Sequence, residues 1–315
     1  MNAVVVENPG GPEVLKYTKV PTPKVKKGWS LIEVKGFGIN HSEIFTREGK
    51  SPDVKFPRIL GIEAVGVISD STDVNLKVGQ KVMTFMGEMG RNYDGSYAEY
   101  VLVPNKQIFP IDSDLDWAKL AAIPETFYTA FGSLTGLQLH DGDHLLIRAG
   151  TSGVGVSAAK LAKAMGNINV TSTTRNLNKS DLLVKIGVDN VIQDDNGTLV
   201  TSEKFDKILD LMGPKTVPDS LKMLNEYGIV SSTGQLGGVW TLDEFDPIME
   251  IPNNCYLTSF YSGDVDINLL NKLIELIEVK HIDVEPTKVF SLKEVSQAHS
   301  YLQGNHSFGK VVVLP

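Results

Sequence analysis

The segment His144-Leu-Leu-Ile-Arg-Ala-Gly-Thr-Ser-Gly-Val-Gly-Val-Ser-Ala-Ala-Lys-Leu-Ala-Lys-Ala-Met-Gly166 constrains this chain more than any other. An apolar run predicts a strand, a glycine-rich turn follows at once, and an alanine-rich stretch predicts a helix directly after the turn. That order suits a dinucleotide pyrophosphate. A tight turn lets bare backbone approach the phosphates, and the helix start offers unpaired N–H groups and the positive end of its dipole. The usual Gly-x-Gly-x-x-Gly pattern falls on Gly150, Ser152 and Gly155 with an extra Gly153, so serine replaces the middle glycine. Gly150, Thr151, Ser152, Gly153, Val154 and Gly155 are therefore the candidate phosphate-cradling residues.

The rest of the chain divides around this unit. Short strands are expected at Ala3–Glu7, Ser30–Lys35, Ala64–Ser69, Lys81–Phe85 and Ala98–Val103, punctuated by Asn8-Pro-Gly-Gly-Pro12 and Pro21-Thr-Pro23. Strands without long helices between them predict a partly open β-barrel. From near Leu120 helices and strands alternate, with helices at Glu125–Thr135, Val154–Met165, Lys179–Ile186 and Pro218–Leu224. Strands are expected between them at Asn169–Thr173, Asn190–Ile192, Lys207–Asp210, Gly228–Thr233 and Tyr256–Phe260. Alternation of this kind predicts a parallel doubly wound sheet. Asn268–Ile277 has the apolar spacing of an amphipathic helix, and Gly309–Leu314 reads as a strand returning to the first domain. The expected architecture is α/β, with a discontinuous barrel domain (1–121 and 264–315) and a dinucleotide domain (122–263).

A length of 315 residues suits two domains. A net charge of −8 without a basic run argues against a nucleic-acid partner. The single cysteine, Cys255, permits no internal disulfide and no thiolate zinc cluster. The chain shows no membrane-length apolar run and no signal-peptide shape, so a cytoplasmic protein without a membrane partner is expected.

In dinucleotide sheets the second strand ends beside the adenosine ribose, where an acid selects NAD. Here that strand ends Val170-Thr-Ser-Thr-Thr-Arg175 with no acid, and Lys179 follows. Arg175 and Lys179, with hydroxyl help from Ser172 or Thr174, suit the 2′-phosphate of NADPH. The alternative is a solvated loop with incidental positive charge. Gly213 and Gly234, in loops at the carboxyl ends of later strands, line such a cofactor site or serve as ordinary turn residues.

These motifs sit among others in a telling order: Gly10-Gly-Pro-Glu-Val-Leu15, Gly38-Ile-Asn-His-Ser-Glu43, the run from Phe56 to Ile68 with Gly61-Ile-Glu63, Asp94-Gly-Ser-Tyr-Ala-Glu-Tyr-Val-Leu-Val-Pro104, and Gly309-Lys-Val-Val312. In this order and spacing the chain resembles the medium-chain dehydrogenase/reductase superfamily, in its zinc-free quinone oxidoreductase-like branch. The resemblance implies a GroES-like barrel domain, a Rossmann domain, and a cleft between them holding NADPH. It also implies hydride transfer to a quinone or an α,β-unsaturated carbonyl, and a homodimer. Matched to zinc-dependent members, the metal-ligand positions are Asn40, Ile62 and one near Glu125, which is a poor donor set. His41, Glu43, Glu63 and Glu125 are the other potential donors, but they lack the softer partners zinc favours. Glu63 reads better as a structural acid.

Without a metal, donors must meet the developing oxyanion. Asn40 is the first candidate, with a turn residue as the alternative reading. His41 could supply a proton, or be merely exposed or buried. Tyr128, with Thr129, falls where relatives approach the nicotinamide, or else packs. Tyr93 lies in a loop, Gly87–Gly95, that could cover a substrate. Phe45 stands where several quinone reductases carry tyrosine, which removes a phenol donor. The second functional reading is a non-enzymatic NADPH-binding sensor or structural protein on the same fold.

Overall fold

The computed structural model describes residues 1–51, 53–304 and 306–315. Its central strand, His144–Arg148, carries three consecutive apolar residues, Leu145, Leu146 and Ile147, all fully buried. A strand apolar on both faces must be covered on both, as in a parallel α/β sheet. It pairs in parallel with Asn169–Thr174 on one side and Phe205–Asp210 on the other. The parallel order across the sheet is Asn190–Asp195, Asn169–Thr174, His144–Arg148, Phe205–Asp210, Leu224–Ser232, Tyr256–Ser259. The short strand Thr198–Leu199 adds antiparallel at one edge. The chain leaves the centre in one direction and then restarts on the other side. The strand order therefore reverses between His144–Arg148 and Phe205–Asp210, the kind of point where α/β sheets bind ligands.

The helix Gly153–Met165 follows the turn directly and buries Ala158, Ala159, Leu161 and Ala162. The helix expected at Lys179–Ile186 is shorter, Ser180–Lys185, because a 3₁₀ turn at Leu177–Lys179 precedes it. Asn176 holds that turn by accepting from the Asn178 N–H. Two strands begin earlier than expected, at Phe205 and Leu224, where Phe205 pairs with Leu224 ahead of a register shift.

Elsewhere the strands are mostly antiparallel, in the order Lys288–Ser291, Val311–Leu314, Trp29–Ile39, Glu63–Ser71, Lys81–Phe85, Phe109–Pro110. Tyr100–Pro104 also pairs with Trp29–Ile39. A smaller sheet joins Leu15–Lys19, Asn2–Val6 and Arg58–Ile59. The terminal strand does return to the first: Val311 faces Ile39 and Val312 faces Gly38. That register carries Lys310 to the neighbourhood of Asn40. Two helices here, His41–Arg47 and Val295–Gln303, were not expected from the sequence.

The chain separates into two compact units: Met1–Glu125 with Gly263–Asn268 and Val284–Pro315, and Thr126–Ser262 with Leu269–Asp283. Leu269–Asp283 thus groups with the doubly wound unit rather than with the barrel unit. It carries most of the helix Ile267–Val279, which buries Leu270, Leu273 and Ile277. No helix among the described residues is long and apolar enough to cross a membrane.

Candidate active site

The glycine turn is fixed before any ligand arrives. Ala149 adopts φ 61°, a left-handed conformation rare outside glycine. Its N–H donates to Thr173 Oγ1 (3.0 Å), and the Gly150 N–H donates to the Thr173 carbonyl (3.0 Å). A Cβ on Gly150 would overlap Ser172 Oγ, and one on Gly155 would press on the Ala149 carbonyl. These two glycines therefore let turn, helix and second strand close on one another. Ser152 is the helix N-cap, its Oγ accepting from the Gly155 N–H at 3.1 Å. The Val156 N–H bonds the Ser152 carbonyl. Gly153 and Val154 are left as the first-turn N–H donors with no partner inside the helix. Half-buried Thr151 completes the turn. A small half-buried cradle with free backbone donors fits a dinucleotide phosphate.

At the end of the second strand, Thr174 Oγ1 is engaged locally: it accepts from the Asn176 N–H and donates to the Asn176 carbonyl, both 3.1 Å. Ser172 Oγ is buried with no hydrogen-bond partner. Arg175 is exposed, and no carboxylate ion-pairs with it among the described residues. Burial first, and then the charge of Arg175, hold the Lys179 ammonium below its ordinary value. Two cations that repel each other at a strand end fit a phosphate better than a ribose hydroxyl. Gly213 (φ 83°) and Gly234 come together: a Cβ on Gly213 would meet the Gly234 carbonyl, and one on Gly234 the Leu211 carbonyl. The close approach of two strand-exit loops requires both.

In the barrel unit, Asn40 is the N-cap of His41–Arg47 by position but makes no side-chain cap bond. Its Nδ2 donates instead to Glu63 Oε1 (2.8 Å) and, over a longer 3.4 Å, to Glu43 Oε1. Its Oδ1 accepts from Lys310 Nζ (2.6 Å). Lys310 Nζ also donates to Glu63 Oε1 (2.5 Å), and Glu63 Oε2 accepts from the Glu125 N–H (2.8 Å). Glu63 is fully buried and Lys310 is 5% exposed. Gly38 makes room for them, since a Cβ there would overlap both side chains. Burial, and then the charge of Glu63, push the Glu43 carboxyl up to about 8. Glu43 is therefore protonated at neutral pH, and its buried Oε2 has no hydrogen-bond partner among the described residues.

Behind Glu43 stands Tyr97, whose phenol burial and then Glu43 push up. Tyr97 Oη is 2.9 Å from His299 Nε2, and His299 Nδ1 is 3.1 Å from Arg47 Nη1. Arginine can only donate, so Nδ1 is the bare nitrogen and Nε2–H donates to Tyr97. Burial, and then Arg47, lower the imidazole to about 3, so His299 stays neutral.

The structure brings Asn40 and half-buried His41 together at one helix start, whereas Tyr128 lies in the other unit, fully buried against Phe260. The Gly87–Gly95 loop is tied down: Tyr93 Oη donates to Gln107 Oε1 (2.5 Å) and Gly90 N–H to the Tyr93 carbonyl. Sequence reasoning missed Lys310. Its signal was Gly309-Lys in the terminal strand, which has meaning only once Val311 is registered opposite Ile39.

Zinc does not fit this cluster. At the ligand positions stand a buried isoleucine (Ile62, 3% exposed), an amide whose nitrogen donates to Glu63 and whose oxygen accepts from Lys310, and Glu125. The Lys310 ammonium already neutralises Glu63, and no group of three His, Cys, Asp or Glu is disposed for a metal among the described residues.

A doubly wound dinucleotide sheet with an antiparallel barrel unit defines a two-domain dehydrogenase fold, and the comparisons with known proteins narrow it. Residues 26–113 match the family model described as alcohol dehydrogenase GroES-like domain, and residues 186–313 the one described as zinc-binding dehydrogenase. An Arabidopsis thaliana protein named NADPH-dependent alkenal/one oxidoreductase, chloroplastic, is 29% identical over all of this chain and 80% of its own length. A quinone oxidoreductase of Pongo abelii is 25% identical, covering 100% of this chain and 98% of its own. The solved quinone oxidoreductase of Coxiella burnetii superposes with TM-score 0.86 at 27% identity, over 100% of this chain and 99% of that one. Over its whole length the chain is thus similar to quinone oxidoreductase-like members of the medium-chain dehydrogenase/reductase superfamily.

Proposed function

We propose that this protein is an NADPH-dependent reductase of quinones or α,β-unsaturated carbonyl compounds that works without zinc. The observation that carries the cofactor is exposed Arg175, which no carboxylate ion-pairs among the described residues, in the same unit as a preformed phosphate cradle, with Lys179 close enough to feel its charge. The names of the relatives support the substrate class.

Gly150 to Gly155 would hold the pyrophosphate, with Arg175 and Lys179, helped by Ser172 and Thr174, on the 2′-phosphate and Gly213 and Gly234 shaping the exit loops. Bound there, NADPH supplies a hydride. Asn40 keeps one N–H only loosely held, at 3.4 Å from a protonated Glu43, well beyond an ordinary N–H···O length. That N–H is the proposed donor to the substrate oxyanion. Lys310 and Glu63 fix the amide plane. His41, or solvent, supplies the proton that the reduced acceptor needs after hydride transfer, and Tyr128 contributes from its buried place in the cofactor unit. Neither Asn40 nor His41 needs a metal for these roles.

We also propose a cytoplasmic homodimer, with 1–121 and 264–315 as the barrel domain and 122–263 as the cofactor domain, allowing for the helix noted above. The sheet edge at Tyr256–Ser259 has no strand beyond it among the described residues, and Ile248 and Met249 are strongly exposed nearby in sequence. The test is NADPH oxidation with a panel of alkenals, enones and small quinones. Turnover with any class supports the reading. Tight NADPH binding with no turnover across the panel would favour the non-enzymatic alternative.

A further inference from the structure

The five arginines of this chain divide by partner. Arg47 is paired with Glu48 (3.1 Å), Arg58 with Asp94 (3.0 Å), and Arg148 with Asp219 (2.7 Å) and Asp194 (3.5 Å). Arg175 and Arg91 have no acid partner among the described residues. Arg175 is exposed, and the phosphate of the cofactor accounts for it. Arg91 needs another explanation: its buried Nε has no acceptor among the described residues, as in Arg58 and Arg148, and unlike them half-buried Arg91 has no acid there to offset its charge. A guanidinium loses hydration when it is buried, and an uncompensated one is retained against that cost.

Its surroundings hold it in place. Arg91 Nη2 donates to Ser42 Oγ at 3.0 Å, two residues from Asn40 on the same helix start. The 86–95 loop that carries it is pinned at both ends, by Met86 N–H to the Ile62 carbonyl (2.7 Å) and Gly95 N–H to the Ile59 carbonyl (2.8 Å). Of the five N–H donors on this side chain, Ser42 uses one. A fixed, half-buried cation beside the proposed oxyanion donor has the chemistry of an anion receptor.

We infer that Arg91 recognises a carboxylate on the substrate, so that the preferred acceptors are enones or quinones bearing an acid group rather than neutral ones. The inference rests on the reductase reading of the same site. The carboxylate takes no part in bond making; it orients the acceptor against Asn40.

β-Acetylacrylate and its methyl ester present the same enone with and without the charge; the ester is the intrinsically more electrophilic alkene, so a preference for the acid cannot come from reactivity. In the wild-type protein the acid is expected to show the higher kcat/KM. Arg91→Met is expected to lower kcat/KM for the acid at least about tenfold more than for the ester, as loss of a charge-assisted contact requires, and Arg91→Lys to recover part of the difference. Should Arg91→Met fail to fold, Ser42→Ala, which releases Nη2, should shift the ratio the same way by less. Calorimetric binding of levulinate, the saturated analogue, to the NADPH-loaded protein gives a readout independent of turnover. Arg91-dependent levulinate binding without turnover of either probe would uphold the recognition and sink the reductase reading. Equal use of acid and ester, or equal loss of both in Arg91→Met, would overturn the inference. So would a loss of NADPH affinity in that variant, or an absence of both turnover and levulinate binding.

Discussion

Lys310 and Arg175 are both cations placed beside strand ends, and they differ in what answers their charge. Lys310 is buried and saturated: Glu63 and Asn40 take its hydrogen bonds at 2.5 and 2.6 Å. Arg175 is exposed, ion-pairs with no acid among the described residues, and is close enough to add to burial in lowering the affinity of Lys179 for a proton. A satisfied charge inside a protein holds its neighbours in place, whereas an unsatisfied one at a binding surface is held ready for a ligand. The two should therefore fail in different ways when they are removed.

Lys310→Met should cost the most. It leaves the Glu63 carboxylate buried without its counter-ion, and breaking such a pair typically costs about 3–5 kcal/mol. Urea unfolding should show the loss directly, together with a misplaced Asn40 amide and reduced turnover. Arg175→Ala, in contrast, should stay within about 0.5 kcal/mol of wild type in stability. Comparable stability losses in both variants would erase the distinction drawn between them.

Ligand affinity should reverse the order. Charge-assisted hydrogen bonds are worth about 1.5–3 kcal/mol each, so Arg175→Ala should weaken NADPH roughly 10- to 100-fold. NADH, which lacks the 2′-phosphate, should weaken far less. Lys179→Ala should act in the same direction with a smaller effect, since a point charge lacks the bidentate geometry of guanidinium. Fluorescence titration of the two cofactors measures both. Equal losses for NADH and NADPH would show that the phosphate binds elsewhere.

The same contrast explains what was legible in the sequence. The cofactor unit is written locally: strand, turn, helix and the basic strand end fall within about thirty consecutive residues, so the Gly150–Gly155 turn and Arg175 could be read directly. The barrel-unit cluster is not local. Asn40 follows the strand Trp29–Ile39, Glu63 begins Glu63–Ser71 and Lys310 precedes Val311–Leu314, and the three meet only through antiparallel register, Val311 against Ile39. Asn40 was legible as a candidate but not as an amide held between two acids and a lysine. The helices His41–Arg47 and Val295–Gln303 were missed for a related reason. Both are short and are stabilised by tertiary burial of residues such as Arg47 and His299 rather than by a clear apolar period.

Glu43 gives the comparison a pH dependence. In the folded protein it keeps its proton up to about pH 8, whereas the unstructured carboxyl releases it near 4.5. Between those values the folded state binds more protons than the unfolded one. Stability should therefore be full below the lower value, fall as pH rises through the window by at most about 1.4 kcal/mol per pH unit, and level off above it. Glu43→Gln should flatten that slope in denaturant melts taken from pH 5 to 9. Arg175→Ala should leave the slope intact, because no buried acid depends on it.

Ser152 carries the smallest expected effect and separates fold from ligand within the turn itself. Its hydroxyl oxygen accepts from the Gly155 N–H and so caps the helix that would face the pyrophosphate. Replacing an N-cap serine with alanine typically costs about 1 kcal/mol, and replacing it with glycine only a few tenths. Ser152→Gly would restore the usual middle glycine of the motif, so it should leave stability nearly unchanged and keep NADPH affinity. Ser152→Ala should lose stability first and affinity only as far as the helix start frays. If Ser152→Gly instead lowered NADPH affinity about tenfold with stability unchanged, the hydroxyl would be a phosphate donor in its own right. The turn would then belong with Arg175, as a group held ready for a ligand, rather than with Lys310.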